Sequence, residues 1–198
     1  MDIYTGKVFM SVAKDDIQDA TGAMQVCAGQ PGGCEAAIHA MHDIFLEEET
    51  ECLLLVDAKN AFNSINRAAM LENIRRLCPI AYIYAFNCYG VHARLFVVGG
   101  KEIFSQEGTT QGDPPAMAFY GIGIMPFLQK LKRSCKTAQI GYADDLQGGR
   151  KVLDTRHWFD TVEDKGPSHG YDDEPSKSHL IVKPNLSRRH RKYLMERM

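Results

Sequence analysis

The stretch Cys52-Leu53-Leu54-Leu55-Val56 constrains the fold more than any other in this 198-residue chain. It is an unbroken apolar run, too short for a typical helix, and it stops at Asp57. A continuous apolar run of this length predicts a strand covered on both faces, at the centre of a layered sheet. A carboxylate at the end of such a strand is costly to desolvate unless it is paired or holds a cation.

A second acid site has a similar setting. Ala138 to Ala143 is a short apolar run that leads into Asp144-Asp145, with Gly148-Gly149 just beyond. It reads as a strand entering a hairpin, with both acids at or beside the turn. Asp favours turns, so the pair alone reads most simply as surface. Asp15-Asp16 and Asp172-Asp173 are read as solvated loops for that reason. Asp57 changes the reading at Asp144-Asp145. If the two strands are neighbours, three carboxylates converge and repel one another, and a hard divalent cation such as Mg²⁺ relieves the repulsion. Two such ions, about 3.5–4 Å apart, clamp the attacking and leaving oxygens of a phosphoryl displacement.

Composition narrows the class. Hydrophobic residues make up 44% and charged residues 24%, as expected of a chain that folds around one core with room for a small accessory lobe. The apolar runs fall short of a membrane span, and Met1 to Lys7 does not resemble a signal peptide. The expectation is an intracellular protein of nucleus or cytoplasm with no membrane partner. A net charge of −2 argues against a broad basic nucleic-acid surface. Acids cluster at Glu47-Glu48-Glu49 and Glu51, bases at Arg188, Arg189, Arg191 and Lys192. The six cysteines show no Cys-x-x-Cys spacing and are read as reduced thiols. Cys34, His39 and His42 read as a helix surface rather than a zinc site.

The remaining elements follow from periodicity and punctuation. Residues 28–33 form a loop, and a helix runs from Cys34 to Glu48. Asn66 caps a helix ending at Leu77, and Pro79 opens another that closes at Gly90. Ala93–Val98 and Lys101–Gln106 pair across a Gly99-Gly100 turn. A turn-rich loop, Gly108 to Pro115, leads into a buried helix from Ala116 to Leu131, kinked near Pro126. Asp154 caps a helix carrying Trp158, Phe159 and Val162. His179–Val182 is the last strand. The order predicts an α+β fold, an antiparallel sheet with helices packed on one face.

Four blocks, in order, resemble the palm region of a retroelement reverse transcriptase, most like the non-LTR type. Leu54-Leu55-Val56-Asp57-Ala58-Lys59-Asn60-Ala61-Phe62-Asn63-Ser64-Ile65 resembles the first catalytic motif. Gly108-Thr109-Thr110-Gln111-Gly112-Asp113-Pro114 resembles the substrate-binding loop, Tyr142-Ala143-Asp144-Asp145 the paired-acid motif, and Pro175-Ser176-Lys177-Ser178 the lysine motif. The resemblance implies a reverse-transcriptase-like palm at 24–184, a partial fingers remnant at 1–23 and a basic tail at 185–198. It implies an RNA-directed DNA polymerase that acts on an RNA or DNA template with a primer and deoxynucleoside triphosphates. Asp57 and Asp144, with the Ala58 carbonyl and Asp145 beside them, would hold two Mg²⁺ ions, with Mn²⁺ as a substitute. Phe62 would gate the sugar, Gln111 and Gly112 would contact nucleotide and template, and Lys177 would protonate the leaving pyrophosphate.

The sequence departs from the family's pattern in three places. Lys7 and Lys14 are the only Lys or Arg residues before the matched blocks, where the family carries more basic residues, residues 185–198 do not resemble a primer grip or thumb, and Pro115 stands where a small or aliphatic residue is usual. Two other readings therefore remain open: a catalytically inactive, domesticated or degenerate fragment that binds nucleic acid or a protein weakly, and a metal-dependent phosphohydrolase.

Overall fold

The computed structural model describes residues 3–184 and 186. The basic cluster at Arg188 to Lys192 lies outside the described residues. The central sheet has four antiparallel strands in the order β4-β5-β1-β6. They are β1 (Cys52–Val56), β4 (Ala138–Tyr142), β5 (Asp145–Arg150) and β6 (His179–Val182). A separate antiparallel ribbon is made of β2 (Ala93–Phe96) and β3 (Glu102–Ser105).

The helices are α1 (Ile3–Val12), α2 (Lys14–Thr21), α3 (Gly33–Leu46), α4 (Ala61–Ser64), α5 (Arg67–Leu77), α6 (Pro79–Tyr89), α7 (Ala116–Ser134) and α8 (Val152–Lys165). None of the described helices is long and apolar enough to cross a membrane.

The prediction for β1 holds at every residue, and its alternation explains the layers. Leu54 and Val56 face a core with Phe127, Leu128, Trp158 and Val162 of α7 and α8. Leu53 faces the other way, onto Ala37 and Met41 of α3, with Val26 and Ile140. The antiparallel α+β class is as expected. The helices, however, cover both faces of the sheet instead of one, because a strand that is apolar at successive positions has two faces to bury.

Trp158 locks three elements together. Its Nε1–H donates to Gln139 Oε1 of β4 at 2.9 Å, and Gln139 Nε2 donates to the Leu128 carbonyl of α7 at 2.8 Å. A buried indole with its N–H satisfied packs without a polar penalty. Gly148 of β5 makes room for it, since a Cβ there would lie 2.9 Å from the indole. At Gly149 a Cβ would collide with Leu53. The Gly-Gly pair after the acids is thus a packing device inside a strand.

Local chemistry sets the helix ends. Asn66 Oδ1 accepts from the Ala69 N–H at 2.8 Å, the expected cap of α5. Asp154 does not cap α8. It lies in the first turn, 3.5 Å from Arg150, and the Val152 N–H is taken at 2.9 Å by Glu51 Oε2 from across the sheet. A carboxylate beside an N-terminal turn stabilises it from either position. Pro126 falls within α7, which runs unbroken over 19 residues.

Helices α1 and α2 belong to the same core. Ala13 and Ile17 are fully buried, and the Phe9 ring stacks on Tyr84 at 4.3 Å. All six cysteines are free thiols. Asp15 and Asp16, read as a loop, lie in the first turn of α2.

Candidate active site

Strands β1 and β5 are direct neighbours. Their register pairs Cys52 with Arg150 and Val56 with Leu146. Carried one residue further, it sets Asp57 opposite Asp145, with Asp144 at the turn beyond. The acids near 57 and 144 therefore meet at one end of the sheet. Tyr171 ties that end together, its hydroxyl 3.0 Å from the Asp144 carbonyl and 3.3 Å from the Val56 carbonyl.

The electrostatics follow first from burial and then from crowding. Burial and then the Asp57 charge push the Asp144 carboxyl above the usual range, against relief from Lys177. Burial, Asp144 and Asp57 push Asp145 the same way. Lys177 Nζ lies 3.9 Å from Asp57 Oδ1. Asp57, Asp145, Gln147, Lys177 and His179 line a cavity of about 160 Å³.

The loop after Asp57 is strapped down by a segment read from sequence as solvated. The Lys59 N–H donates to the Asp172 carbonyl at 2.7 Å and the Glu174 N–H to the Asp57 carbonyl at 2.8 Å. These two bonds flank the bridge between Ala58 and Asp173 and leave the Ala58 carbonyl out of it. Ser178 Oγ accepts from the Asp57 N–H at 3.3 Å.

A second cluster lies on the neighbouring loop. Phe62, Gln111, Gly112, Asp113, Pro114, Ala116 and Met117 line a cavity of about 370 Å³. The loop is pinned to α4 by the Thr109 N–H on the Phe62 carbonyl at 2.6 Å and by the Gly108 N–H on the Ile65 carbonyl at 3.0 Å. Gly112 has φ +89 and open space around it. Phe62 is half-buried, its ring 4.8 Å from that of Tyr120.

A sequence model of the family described as reverse transcriptase (RNA-dependent DNA polymerase) matches residues 4–194. The chain belongs to the reverse transcriptase family. Comparison with curated protein sequences yields no match. Among solved structures it is similar to apo telomerase from Candida tropicalis, with TM-score 0.67 and 9% identity over 93% of this chain and 37% of that one. It is also similar to Candida albicans telomerase in complex with a TWJ fragment of telomeric RNA, with TM-score 0.62 and 12% identity over 92% of this chain and 36% of that one. At such identities the likeness is one of fold. The chain spans little more than a third of the length of these solved chains.

The donor set of this reverse transcriptase domain suits a hard cation: repelling carboxylates and a carbonyl not used by the bridge. Among the described residues, no three His, Cys, Asp or Glu side chains are gathered closely enough to hold a metal alone. Mg²⁺ is commonly held by one or two carboxylates plus substrate phosphates, so a preformed cage is not required.

Three supporting residues escaped the sequence reading. Arg67, 6% exposed, donates to the carbonyls of Ser105, Glu107 and Gly108 at 2.7–3.0 Å and holds the stem of the loop that carries Gln111 and Gly112. Tyr89 donates to Asp113 at 2.7 Å and accepts from the Thr110 N–H at 3.2 Å. Gln25, in a weakly periodic segment, bonds to Ala143 beside the acids. No local pattern marks any of them, because each acts on backbone far away in sequence.

Proposed function

We propose that this domain transfers a deoxynucleotide from its triphosphate to a primer 3′-hydroxyl, directed by an RNA or DNA template, as in retroelement reverse transcriptases of the non-LTR type. The observation that carries the reading is the β1–β5 register, which sets Asp57 opposite Asp145 and beside Asp144. That a structural neighbour was solved with an RNA fragment supports a nucleic-acid partner. We take residues 24–184 as the palm, with 1–23 as a partial fingers remnant and 185–198 as a basic tail.

Asp57, Asp144 and the Ala58 carbonyl would hold Mg²⁺, or Mn²⁺ in its place, with Asp145 next to the primer end. The bound ions supply a lower pKa for the attacking hydroxyl and neutralise charge on the phosphates. Phe62 lies under the sugar and its bulk disfavours a 2′-hydroxyl. Gly112 lets backbone approach the nucleotide, and Gln111 orients nucleotide and template. The 3′-hydroxyl gives its proton to water, its oxygen attacks the α-phosphorus in line, the bond to the oxygen bridging to the β-phosphorus breaks, and Lys177 gives the leaving pyrophosphate a proton.

Primer extension on an RNA template with Mg²⁺ tests the reading. Template-dependent extension that Asp144→Ala abolishes supports it. A folded wild-type chain with no extension sinks it, as does hydrolysis of small phosphoesters without any template.

A further inference from the structure

The turn that carries Asp144 is held in an unfavourable shape. Ala143 has φ +54, in the left-handed region that a Cβ disfavours. It is also 7% exposed, so its N–H and C=O have little access to water. Gln25 takes both groups. Its Oε1 accepts from the Ala143 N–H at 2.8 Å, and its Nε2 donates to the Ala143 carbonyl at 2.9 Å. Gln25 is itself 1% exposed.

The backbone that presents this side chain is fixed separately. The Val26 N–H donates to the Gly141 carbonyl at 2.9 Å, and the Gly141 N–H donates to the Met24 carbonyl at 2.8 Å. Met24–Val26 therefore runs parallel to the end of β4, and the Gln25 amide forms one further rung that reaches past Tyr142. The seat is close-fitting, since a Cβ on Gly141 would lie 3.0 Å from Gln25 Nε2.

We infer that Gln25 is a positioning residue for the acid turn: its amide holds Ala143 left-handed and so aims Asp144 at Asp57. The functional half of this inference rests on the nucleotidyl-transfer reading, the conformational half does not. A primary amide suits the task because it offers one acceptor and a donor in the geometry of a peptide group. Glutamate would keep the acceptor but set a charge against the Ala143 carbonyl, and methionine would fill the volume and bond neither group. Glycine adopts the left-handed conformation freely, so Ala143→Gly removes much of the need for the clamp.

Four proteins test this: wild type, Gln25→Met, Ala143→Gly and the double variant, with Gln25→Asn, which stays neutral but is one methylene too short to hold both groups, if Gln25→Met does not fold. In Gln25→Met, exchange of the Ala143 amide measured by NMR is expected to rise at least about tenfold, while Leu54 and Val56 keep their protection. In primer extension, kcat falls on the order of 10²-fold at unchanged nucleotide KM, because the loss is one of aim and not of binding. Adding Ala143→Gly recovers most of that kcat. Unchanged Ala143 exchange, or exchange that rises in step with Leu54 and Val56, overturns the clamp. So does a kcat that Ala143→Gly fails to restore. If Asp144→Ala extends primers as well as wild type, the nucleotidyl-transfer reading fails, and amide exchange still judges the clamp.

Discussion

The β4–β5 hairpin turns over two residues, Ala143 and Asp144, inside a four-stranded sheet, whereas the β2–β3 hairpin turns over five and has no third strand. Both come from apolar runs with a Gly-Gly pair nearby. In the first, Gly148 and Gly149 sit within β5 under Trp158 and Leu53. In the second, Gly99 occupies the third position of a turn closed by the Gly100 N–H on the Val97 carbonyl at 2.9 Å. Its φ of +72 is one that glycine adopts freely. The same dipeptide thus serves packing in one place and backbone conformation in the other. What separates the two is what covers the strand: β5 has β1 beside it and α8 above it, while β2 is exposed along its whole length.

Added bulk at the glycines separates the two hairpins most strongly. Gly149→Val drives side-chain atoms into Leu53 and toward the Cys52 carbonyl, which a Cβ alone would approach to 3.2 Å. A loss of about 3 kcal/mol is expected, at the upper end for overpacking. Gly100→Val meets mainly the Val97 side chain, at 3.1 Å from a Cβ, and an exposed loop can shift to admit it. Urea unfolding of the two variants measures the gap. Equal losses would mean that the exposed ribbon is as integral to the core as the acid hairpin.

The acid hairpin also works against stability through its charge. Asp144 and Asp145 hold protons more tightly folded than unfolded, so between the ordinary Asp value of 3.8 and the raised ones the folded chain carries more protons than the unfolded chain. Stability therefore falls as pH rises through that window, and the loss is complete above it. Asp144→Asn is expected to raise Tm at pH 7 and flatten the acid limb of the profile while abolishing extension. Mg²⁺ is expected to raise the wild-type Tm at pH 7 and to do less in Asp144→Asn. A wild-type Tm that climbs from pH 4 to 7 would place the repulsion elsewhere. Nothing comparable arises in the ribbon, where Arg94 pairs with Glu102 at 3.2 Å in solvent.

The turn of the ribbon offers a smaller effect. Gly99→Ala places a Cβ in a left-handed residue with nothing within 4 Å, so the cost is conformational alone, about 1 kcal/mol. It is expected as faster amide exchange along β2 and β3, with the urea midpoint of the main core barely moved.

How far the sequence could be read tracks the range of the forces involved. β1, the Asn66 cap and the Pro79 start are each decided within a few residues, and each stands as predicted. The meeting of Asp57 with Asp144 and Asp145 could be posed from sequence as two apolar runs ending in acid, but only pairing decides it. Arg67, Tyr89 and Gln25 were not legible, because their partners are backbone groups up to 118 positions away. Glu51 displaced Asp154 at the start of α8 for the same reason: the sheet brings it there. The second helical layer was implicit in the five-residue apolar run, which has no solvent face to spare, yet only the contact of Leu53 with α3 identifies which helix fills it.

The smallest effect belongs to the tip of the ribbon. Val98 is fully exposed and Phe96 is 79% exposed, so neither removes much apolar surface from water in this fold. Val98→Thr replaces a methyl with a hydroxyl in solvent, and stability is expected to change by no more than about 0.5 kcal/mol. The corresponding change in the acid hairpin, Leu146→Thr, puts a hydroxyl at a site 2% exposed within the main core, where burying an unpaired polar group costs about 1–3 kcal/mol in addition to the lost packing. The ratio of the two losses, measured by urea unfolding under one set of conditions, gauges how much of the β2–β3 ribbon's apolar surface is already covered when the chain is alone. A loss at Val98 approaching that at Leu146 would mean that the tip is buried in solution, by a contact between chains that dilution should then reverse.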